Sequence, residues 1–251
     1  MRTCQKELAF LLAESKALFF EDGLSLKDGR PTPYFVNFGL FRTGRLISEL
    51  GRIMSDFLIE TATVDDFDVM VGPSYKGSAL AVATVQALWS NHRIDKSFDY
   101  NRKEAKTHGE ASLREALFVT GALTDGVRVL IIDDVATTMS TKFEILGLLA
   151  EQATRKGYNI SSAGVALFLD RQQTTAVYDQ ENHPKLGVKG QDAVKNFRLT
   201  TGLEVQTILG IRQTVEFLAA EKVPVLQSGQ MTPLKSETVQ DLFNYLDLYG
   251  V

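Results

Sequence analysis

One segment of the chain, Val127–Thr141, reads VRVLIIDDVATTMST. Apart from one arginine, its first six residues are apolar and mostly β-branched, a pattern typical of a strand buried in a parallel sheet. Two adjacent carboxylates, Asp133 and Asp134, follow this predicted strand. Burying them costs free energy unless they meet hydrogen-bond donors or a cation. The segment therefore predicts both a buried strand and a polar site at the edge of its sheet.

Two further apolar segments, Val69–Val71 and Ala163–Leu169, predict strands of the same sheet. Apolar residues at helical spacing predict four helices. These lie in the first segment (Leu8, Leu11, Leu12, Leu18), at Leu46–Phe57, at Ala79–Leu88 and at Phe143–Ala150. Gly157 is the predicted C-cap of the last one. Strands that alternate with helices indicate an α/β fold with a mostly parallel sheet flanked by helices. The tail segments Val205–Leu209, Ile211–Ala220 and Val239–Leu248 are interpreted as additions around that sheet.

Composition excludes several classes of protein. The net charge of −4 gives no bulk attraction to nucleic acid or to an anionic membrane, and no apolar run approaches the roughly 20 residues needed to cross a bilayer. The single cysteine, Cys4, excludes an internal disulfide framework and fits a reducing compartment. With no secretory pattern at the N-terminus, we expect a soluble cytoplasmic protein that binds neither nucleic acid nor membrane.

The predicted site lies where parallel strands end, because ligands of open sheets bind beyond the carboxyl ends of the strands. Hydroxyls of a sugar, or waters on Mg²⁺, would supply the donors that Asp133 and Asp134 need. Hydroxyl residues then lead into a helix start, which favours an anion. Together these features suit a ribose 5-phosphate. The alternative is an acidic strand end followed by an ordinary Ser/Thr N-cap.

A basic cluster spans Asn101–Glu110, NRKEAKTHGE, without an apolar stripe. It predicts an exposed loop, either a solvated charged surface or a lid that closes over a polyphosphate. Other ligand motifs fail: Ser78 stands where a P-loop has lysine, and no G-x-G-x-x-G follows a strand. The histidines are scattered along the chain, so we expect no zinc site.

At these residues the sequence resembles a type I phosphoribosyltransferase, specifically an orotate phosphoribosyltransferase. Val129–Thr141 is similar to the family's signature for 5-phosphoribosyl 1-pyrophosphate (PRPP). Four further segments carry the likeness, in the family's order and spacing: Leu26–Asn37 (LKDGRPTPYFVN), Gly72–Gly77 (GPSYKG), Tyr100–Glu110 (YNRKEAKTHGE) and Leu169–Gln172 (LDRQ). The resemblance implies a single domain over residues 1–251, in which residues 1–45 contribute to a hood and residues 203–251 form a C-terminal extension.

The resemblance implies that the chain transfers ribose 5-phosphate from PRPP to orotate, giving orotidine 5′-phosphate and pyrophosphate in de novo pyrimidine biosynthesis. The implied PRPP-binding residues are Lys27, Tyr75, Lys76, Arg102, Lys103, Lys106, His108, Asp133, Asp134, Val135, Ala136, Thr137, Thr138, Met139, Ser140 and Thr141. The implied orotate-binding residues are Lys27, Tyr34, Phe35, Thr137 and Arg171. Catalysis would rest on Lys103, Lys106, Asp133 and Asp134. Mg²⁺ would be held mainly through PRPP, and in a homodimer the loop 101–112 would reach the partner's site.

Two positions depart from the family pattern. Met139 stands where many relatives have glycine, and a side chain there costs about 1–2 kcal/mol if the backbone is left-handed. Ala111 and Ser112 follow the basic cluster where relatives are often richer in glycine. Two alternatives therefore stay open at this point: a phosphoribosyltransferase for another base, which should lack Lys27 and Arg171, and a non-catalytic protein of the same fold that senses PRPP.

Overall fold

The computed structural model describes residues 1–102 and 117–251. Within them the helices are α1 (Thr3–Glu14), α2 (Gly44–Glu60), α3 (Lys76–His92), α4 (Ser140–Lys156), α5 (Ala193–Thr201), α6 (Ile211–Ala220) and α7 (Ser236–Tyr249). The strands are β1 (Leu18–Phe20), β2 (Tyr34–Val36), β3 (Val69–Val71), β4 (Ser97–Asp99), β5 (Arg128–Ala136), β6 (Ser161–Asp170), β7 (Val205–Gly210), β8 (Pro224–Gln227) and β9 (Gln230–Pro233). None of these helices combines the length and the apolar character that a bilayer crossing requires.

The main sheet has five parallel strands in the order β4-β3-β5-β6-β7. It confirms the predicted fold class and the strands at Val69–Val71 and Ala163–Leu169. The β5 strand continues to Ala136, so the acidic pair lies inside the strand. The sequence analysis had placed the pair after the strand. The apolar run ends at Ile132, but backbone pairing with β6 continues to Ala136 because ladder hydrogen bonds do not depend on apolar side chains.

The predicted place of Val205–Leu209 outside the sheet is wrong. The β7 strand pairs in parallel with β6, from Val165 opposite Val205 to Asp170 opposite Gly210, and forms the edge of the main sheet. A crossover through α5 brings it there. The first part of the predicted C-terminal extension is therefore integral to the sheet.

A second, four-stranded sheet joins the two ends of the chain in the order β2-β1-β8-β9. The N-terminal strands β1 and β2 pair antiparallel, and β8 pairs in parallel with β1. Leu18, predicted to be helical, lies in β1, because α1 ends at Glu14 and Lys16 adopts a left-handed φ of 60°. We propose that this small sheet is the hood. The hood then consists of strands from residues 1–45 together with the C-terminal hairpin of β8 and β9.

Side chains of the central strands alternate between two apolar clusters, one on each face of the main sheet. Leu130 and Ile132 of β5 join the cluster that packs under α1, α2, α3 and α6, whereas Val129 and Ile131 join the cluster under α4 and α5. This alternation is the period of two expected for a strand covered on both faces. Both layers of helices therefore hold the carboxyl end of β5 in place.

Several helix predictions are confirmed. The α2 and α3 helices enclose the predicted segments, and α6 has the predicted bounds Ile211–Ala220. Gly157 ends α4 with a φ of 68°, the left-handed conformation that suits a glycine at this position. The start of α4, immediately after β5, places its N-terminus beside the acidic pair.

Candidate active site

The acidic pair meets two lysines, one buried and one exposed. Asp133 and Asp134 are 7% and 8% exposed at the end of β5. Asp133 Oδ2 accepts a hydrogen bond from Lys142 Nζ at 2.5 Å and one from Thr141 Oγ1 at 3.4 Å. Lys142 also donates to the carbonyl oxygen of Val135 at 3.1 Å, and its side chain is only 3% exposed. A buried ion pair therefore joins β5 to the first turn of α4.

Asp134 has a weaker and more open set of partners. Its Oδ2 accepts from Lys76 Nζ at 3.3 Å, and the Lys76 side chain, at the start of α3, is 57% exposed. Its Oδ1 accepts from the backbone N–H of Val135 at 2.8 Å. Burial, and then the neighbouring negative charge of Asp133, raise the pKa of Asp134 above its usual range. The structure thus brings Lys76 and the acidic pair together at one edge of the main sheet.

The turn between β5 and α4 presents hydroxyls around a helix start. Thr137, Thr138, Ser140 and Thr141 are exposed, and Thr138 Oγ1 lies 3.0 Å from Ser140 Oγ. Met139 has φ 62° and ψ 5°, so the left-handed backbone considered from the sequence is present at this residue. Its side chain is fully buried in the cluster under α4 and α5. The turn therefore aims hydroxyls and helix N–H groups outwards while Met139 anchors it from below.

The turn after β3 approaches the same edge of the sheet. A Cβ on Gly72 would lie 1.9 Å from the carbonyl oxygen of Gly77, so these two positions leave no room for a side chain. Ser74 donates from its backbone N–H to Asn101 Oδ1 at 2.8 Å and from its Oγ to the Asn101 carbonyl oxygen at 2.5 Å. Tyr75, in contrast, is 71% exposed. Asn101, which was not predicted as a site residue, therefore fixes this turn.

A cavity of about 450 Å³ opens beside this turn. It is lined by Ser74, Tyr75, Ser78, Tyr100, Asn101, Arg102 and Val119. Arg102 donates its backbone N–H to the carbonyl oxygen of Leu117 at 2.9 Å, and its buried Nε has no hydrogen-bond partner among residues 1–102 and 117–251. The predicted loop residues Lys103, Lys106 and His108 lie outside the described residues.

A second part of the site centres on Arg171, just beyond β6. Its guanidinium carbon lies 5.1 Å from the ring centroid of Tyr34 and 5.9 Å from that of Phe35. Its Nε donates to Tyr34 Oη at 3.4 Å. Arg171 is only 7% exposed, and its buried Nη2 has no hydrogen-bond partner in the described part of the chain. A planar donor with unused capacity therefore lies beside two aromatic rings.

The other predicted residues of this part differ in exposure. Tyr34 is fully buried in β2, and burial raises the pKa of its phenol to about 12. Thr137 is exposed at the end of β5. Lys27 is exposed between β1 and β2, and no hydrogen bond or ion pair within the described ranges ties it to Arg171. The structure thus assembles Tyr34, Phe35 and Arg171, and Lys27 lies exposed in the segment between β1 and β2.

Comparisons with known proteins point to one family. The chain is 34% identical over 247 residues to an orotate phosphoribosyltransferase of Chromohalobacter salexigens, which covers 98% of this chain and 95% of that relative. A protein of the same name from Bifidobacterium longum is 33% identical and covers 95% of this chain and 94% of its own length. This chain belongs to the orotate phosphoribosyltransferase family. No family-level sequence profile matches it.

Solved structures agree with this assignment. The crystal structure of an orotate phosphoribosyltransferase from Francisella tularensis matches with a TM-score of 0.71 at 26% identity, covering 96% of this chain and 98% of that one. The UMP synthase of Leishmania donovani shares the fold, with a TM-score of 0.63 at 19% identity over 97% of this chain and 42% of that chain. The predicted family, the predicted fold class and the prediction of an enzyme of the phosphoribosyltransferase class are confirmed.

The C-terminal helix, α7, contacts residues next to Arg171 and its aromatic partner Tyr34. The ring of Tyr245 in α7 packs edge-on against Tyr34, with centroids 6.2 Å apart. Gln173 Nε2 donates to Tyr245 Oη, and Thr174 donates from its N–H and its Oγ1 to the carbonyl oxygen of Tyr249 at 2.8 and 2.9 Å. The sequence analysis interpreted Val239–Leu248 as an addition around the main sheet and predicted no contact of this segment with the site.

Lys142 and Asn101 are the other residues that sequence reasoning missed. The family signature ends at Thr141, so Lys142 drew no attention, although a lysine on the first turn of a helix that follows a buried strand was a usable signal. Asn101 lay at the start of the basic cluster and was read with it. Both act through protein contacts that depend on which chain segments meet in space.

Proposed function

We propose that this chain catalyses the transfer of ribose 5-phosphate from PRPP to a ring nitrogen of orotate, with release of pyrophosphate. The product, orotidine 5′-phosphate, is an intermediate of de novo pyrimidine biosynthesis. The observation that carries the choice of orotate is the buried guanidinium of Arg171, whose Nη2 lacks a protein partner within the described residues. A planar fork of this kind pairs with a carboxylate, which orotate has and uracil lacks.

The PRPP site is proposed along the carboxyl edge of the main sheet. The exposed hydroxyls of residues 137–141 and the start of α4 suit the 5-phosphate, because helix N–H groups and the helix dipole favour an anion. Tyr75 and Lys76 border the cavity or the acidic pair and are proposed to meet the pyrophosphate. Val135 and Ala136 continue the strand into this turn.

The reaction requires mainly that the protein position the two substrates and stabilise the charges that develop in the transition state. Loss of pyrophosphate from the anomeric carbon creates an oxocarbenium-like ribose, as in other glycosyl transfers. Carboxylates at the end of β5 face this positive charge, while cations of the loop, with Lys103 and Lys106 foremost, stabilise the departing pyrophosphate. His108 and Arg102 belong to the same proposed loop.

Mg²⁺ is proposed to enter the site bound to the diphosphate of PRPP. The described residues contain no group of three or more His, Cys, Asp or Glu side chains that could hold a metal ion. Both carboxylates of the acidic pair are already engaged by lysine amines. This donor set fits a metal carried by the substrate, where it would neutralise charge on the leaving group.

The family also suggests a homodimer whose loop 101–112 reaches into the neighbouring site, and we include that arrangement in the proposal. A cytoplasmic location is proposed as well, since the single cysteine is free and buried, which suits a reducing compartment. The left-handed backbone of Met139 bears on the rival idea of a PRPP sensor without activity. The turn keeps the geometry that a glycine would adopt, so the departure at this residue no longer favours a sensor.

The proposal is tested by the loss of orotate absorbance on mixing the protein with Mg²⁺ and PRPP. We expect PRPP-dependent consumption of orotate and none of uracil. Arg171→Ala should lower kcat/KM for orotate by about 100-fold or more, because it removes a buried charged donor. Arg171→Lys, which keeps the charge but loses the fork, should recover little of that loss. Arg155→Ala, on the exposed end of α4, is the matched control.

The outcomes separate the candidate functions. Tight PRPP binding without consumption of orotate would favour a sensor or a transferase for another base. A chain that binds no PRPP in calorimetry would contradict the assignment of the β5–α4 turn. Equal rates for orotate and uracil would contradict the role of Arg171 alone.

A further inference from the structure

A buried carboxylate, Asp99, ends the edge strand β4 of the main sheet. Its side chain is 0% exposed, and its Oδ1 accepts hydrogen bonds from the backbone N–H groups of Tyr100, Val119 and Thr120, each at 2.9 Å. The first donor follows Asp99 directly in the chain, whereas the other two are 20 and 21 residues further on. One oxygen atom therefore joins two separate segments of the chain.

The backbones of these two segments also pair with each other, but only over a short length. Asn101 and Phe118 form an antiparallel bridge, and Val119 donates its N–H to the carbonyl oxygen of Tyr100 at 3.2 Å. A pair of short strands is marginally stable in water without further contacts. The carboxylate of Asp99 supplies such contacts, since it binds the second segment at two successive N–H groups.

The joined segments form one wall of the cavity of about 450 Å³. Four of its seven lining residues belong to them: Tyr100, Asn101, Arg102 and Val119. Asn101 in turn holds Ser74, on the opposite wall, through its Oδ1 and its carbonyl oxygen. A change at Asp99 should therefore move this wall relative to the turn of Ser74.

The hydrogen bonds of Asp99 are concentrated on one of its two oxygens. Its Oδ2 is buried and has no hydrogen-bond partner among residues 1–102 and 117–251. Burying a carboxylate costs free energy unless donors compensate it, and within that part of the chain the three N–H groups at Oδ1 do so. An amide oxygen in the place of Oδ1 could accept the same three bonds, so asparagine is the conservative replacement.

We propose that Asp99 is a positioning residue that sets the wall Tyr100–Arg102 of the cavity against the turn of Ser74, and thereby determines the affinity for the diphosphate of PRPP. This inference rests on the proposed function, in which the pyrophosphate lies beside this turn. Asp99 itself does not touch the substrate. It acts through the backbone positions of the residues that line the cavity.

The inference predicts a difference between two ligands of the same site. PRPP carries the diphosphate, whereas orotidine 5′-phosphate carries the 5-phosphate and the base but no diphosphate. Loss of the Asp99 carboxylate should therefore weaken the binding of PRPP and leave the binding of orotidine 5′-phosphate nearly unchanged. A merely structural role, in which the whole protein is loosened, would not separate the two ligands.

Calorimetry in the presence of Mg²⁺ measures the dissociation constants of both ligands for the wild type, Asp99→Leu and Asp99→Asn. We expect Asp99→Leu to bind PRPP about 10-fold more weakly or worse, and orotidine 5′-phosphate within about 3-fold of the wild type. Asp99→Asn, which keeps the acceptor, should bind PRPP within about 3-fold of the wild type. Asp125→Leu is the matched control, because Asp125 Oδ1 accepts one backbone N–H bond, from Asn159 at 2.7 Å, at the amino end of β5.

Three results would overturn the inference: wild-type PRPP affinity in Asp99→Leu, an equal loss for both ligands, or an Asp99→Asn variant as weak as Asp99→Leu. If Asp99→Leu does not fold, Asp99→Ser decides, because its short hydroxyl fits the buried position but does not reach the second segment. It should lose about 5-fold in PRPP affinity and nothing for orotidine 5′-phosphate, and equal effects on both would contradict the inference. A wild type that binds neither ligand would instead contradict the proposed function.

Discussion

Replacing Met139 with glycine and with alanine separates two opposing energies at the turn before α4. Met139 combines a left-handed backbone, φ 62°, with a fully buried side chain. Truncation to alanine removes the buried side chain and keeps the backbone strain, so it should cost about 2–5 kcal/mol. Glycine also removes the side chain, but it relieves a strain of about 1–2 kcal/mol.

Glycine gains flexibility in the unfolded chain, which lowers stability by about 0.4–1 kcal/mol relative to alanine. These two ranges leave Met139→Gly about 0–1.6 kcal/mol more stable than Met139→Ala, with both below the wild type and with a midpoint difference of about 0.8 kcal/mol. For a chain of this size that difference corresponds to about 1–4 °C in melting temperature. The expected order of stability is therefore methionine, then glycine, then alanine.

Urea denaturation of the three proteins measures this order. Ile145 provides the control, because it is 1% exposed in α4 and lies in regular helix. There the order should be reversed, with glycine about 1 kcal/mol below alanine. An alanine variant at residue 139 that is more stable than the glycine variant would refute the reasoning. PRPP affinity of Met139→Gly should stay within about 3-fold of the wild type, since the turn already has the glycine-like conformation.

Two further predictions concern the C-terminal helix and the amino ends of the β3 and β5 strands. Tyr245→Phe removes the hydroxyl that accepts from Gln173 but keeps the ring on Tyr34, so steady-state kinetics should show orotate KM raised about 3–10-fold and PRPP KM unchanged. An equal rise of both KM values would contradict a role confined to the base pocket. Hydrogen bonds from Arg128 hold the pKa of Asp68 at about 2, below its usual range, so the stability from this pair is present above pH 4 and is lost as pH falls towards 2. Asp68→Asn should therefore lower the free energy of unfolding by about 1 kcal/mol at pH 6, with the difference shrinking at pH 3 in urea denaturation; a constant difference would contradict this assignment.

Much of the site follows from local sequence order. Asp133, Asp134 and the hydroxyls of residues 137–141 are consecutive, so any fold that makes Val127–Ile132 a strand brings them to one edge. At Met139 the sequence raised the question of a left-handed backbone, and the structure shows that this conformation is present. The family resemblance then supplied Tyr34 and Arg171, which are 137 residues apart but lie together in the structure.

The limits of the strands and the edges of the sheet were harder to predict from the sequence. The end of β5 is set by pairing with β6, and the hydrogen bonds of a ladder leave no trace in the side-chain pattern. The β7 strand was read as an addition because a short apolar run near a chain end looks the same whether it covers a sheet or joins it. Leu18 fitted a helical spacing, but the left-handed backbone of Lys16 prevents the helix from continuing to it, and Leu18 begins β1.

Composition and local pattern alone determined the α/β class, the parallel strands, the hydroxyl-rich turn before α4 and the acidic pair, because each depends on residues close together in the chain. Only the tertiary structure decided that Lys142 pairs with Asp133, that Asn101 fixes the turn of Ser74, and that Tyr245 supports Tyr34. The physical reason is that burial and ion pairing depend on which distant segments of the chain meet in the folded protein. From the sequence, a lysine on a helix is expected to be exposed to solvent. In the structure a carboxylate from another element lies 2.5 Å from the amine of Lys142.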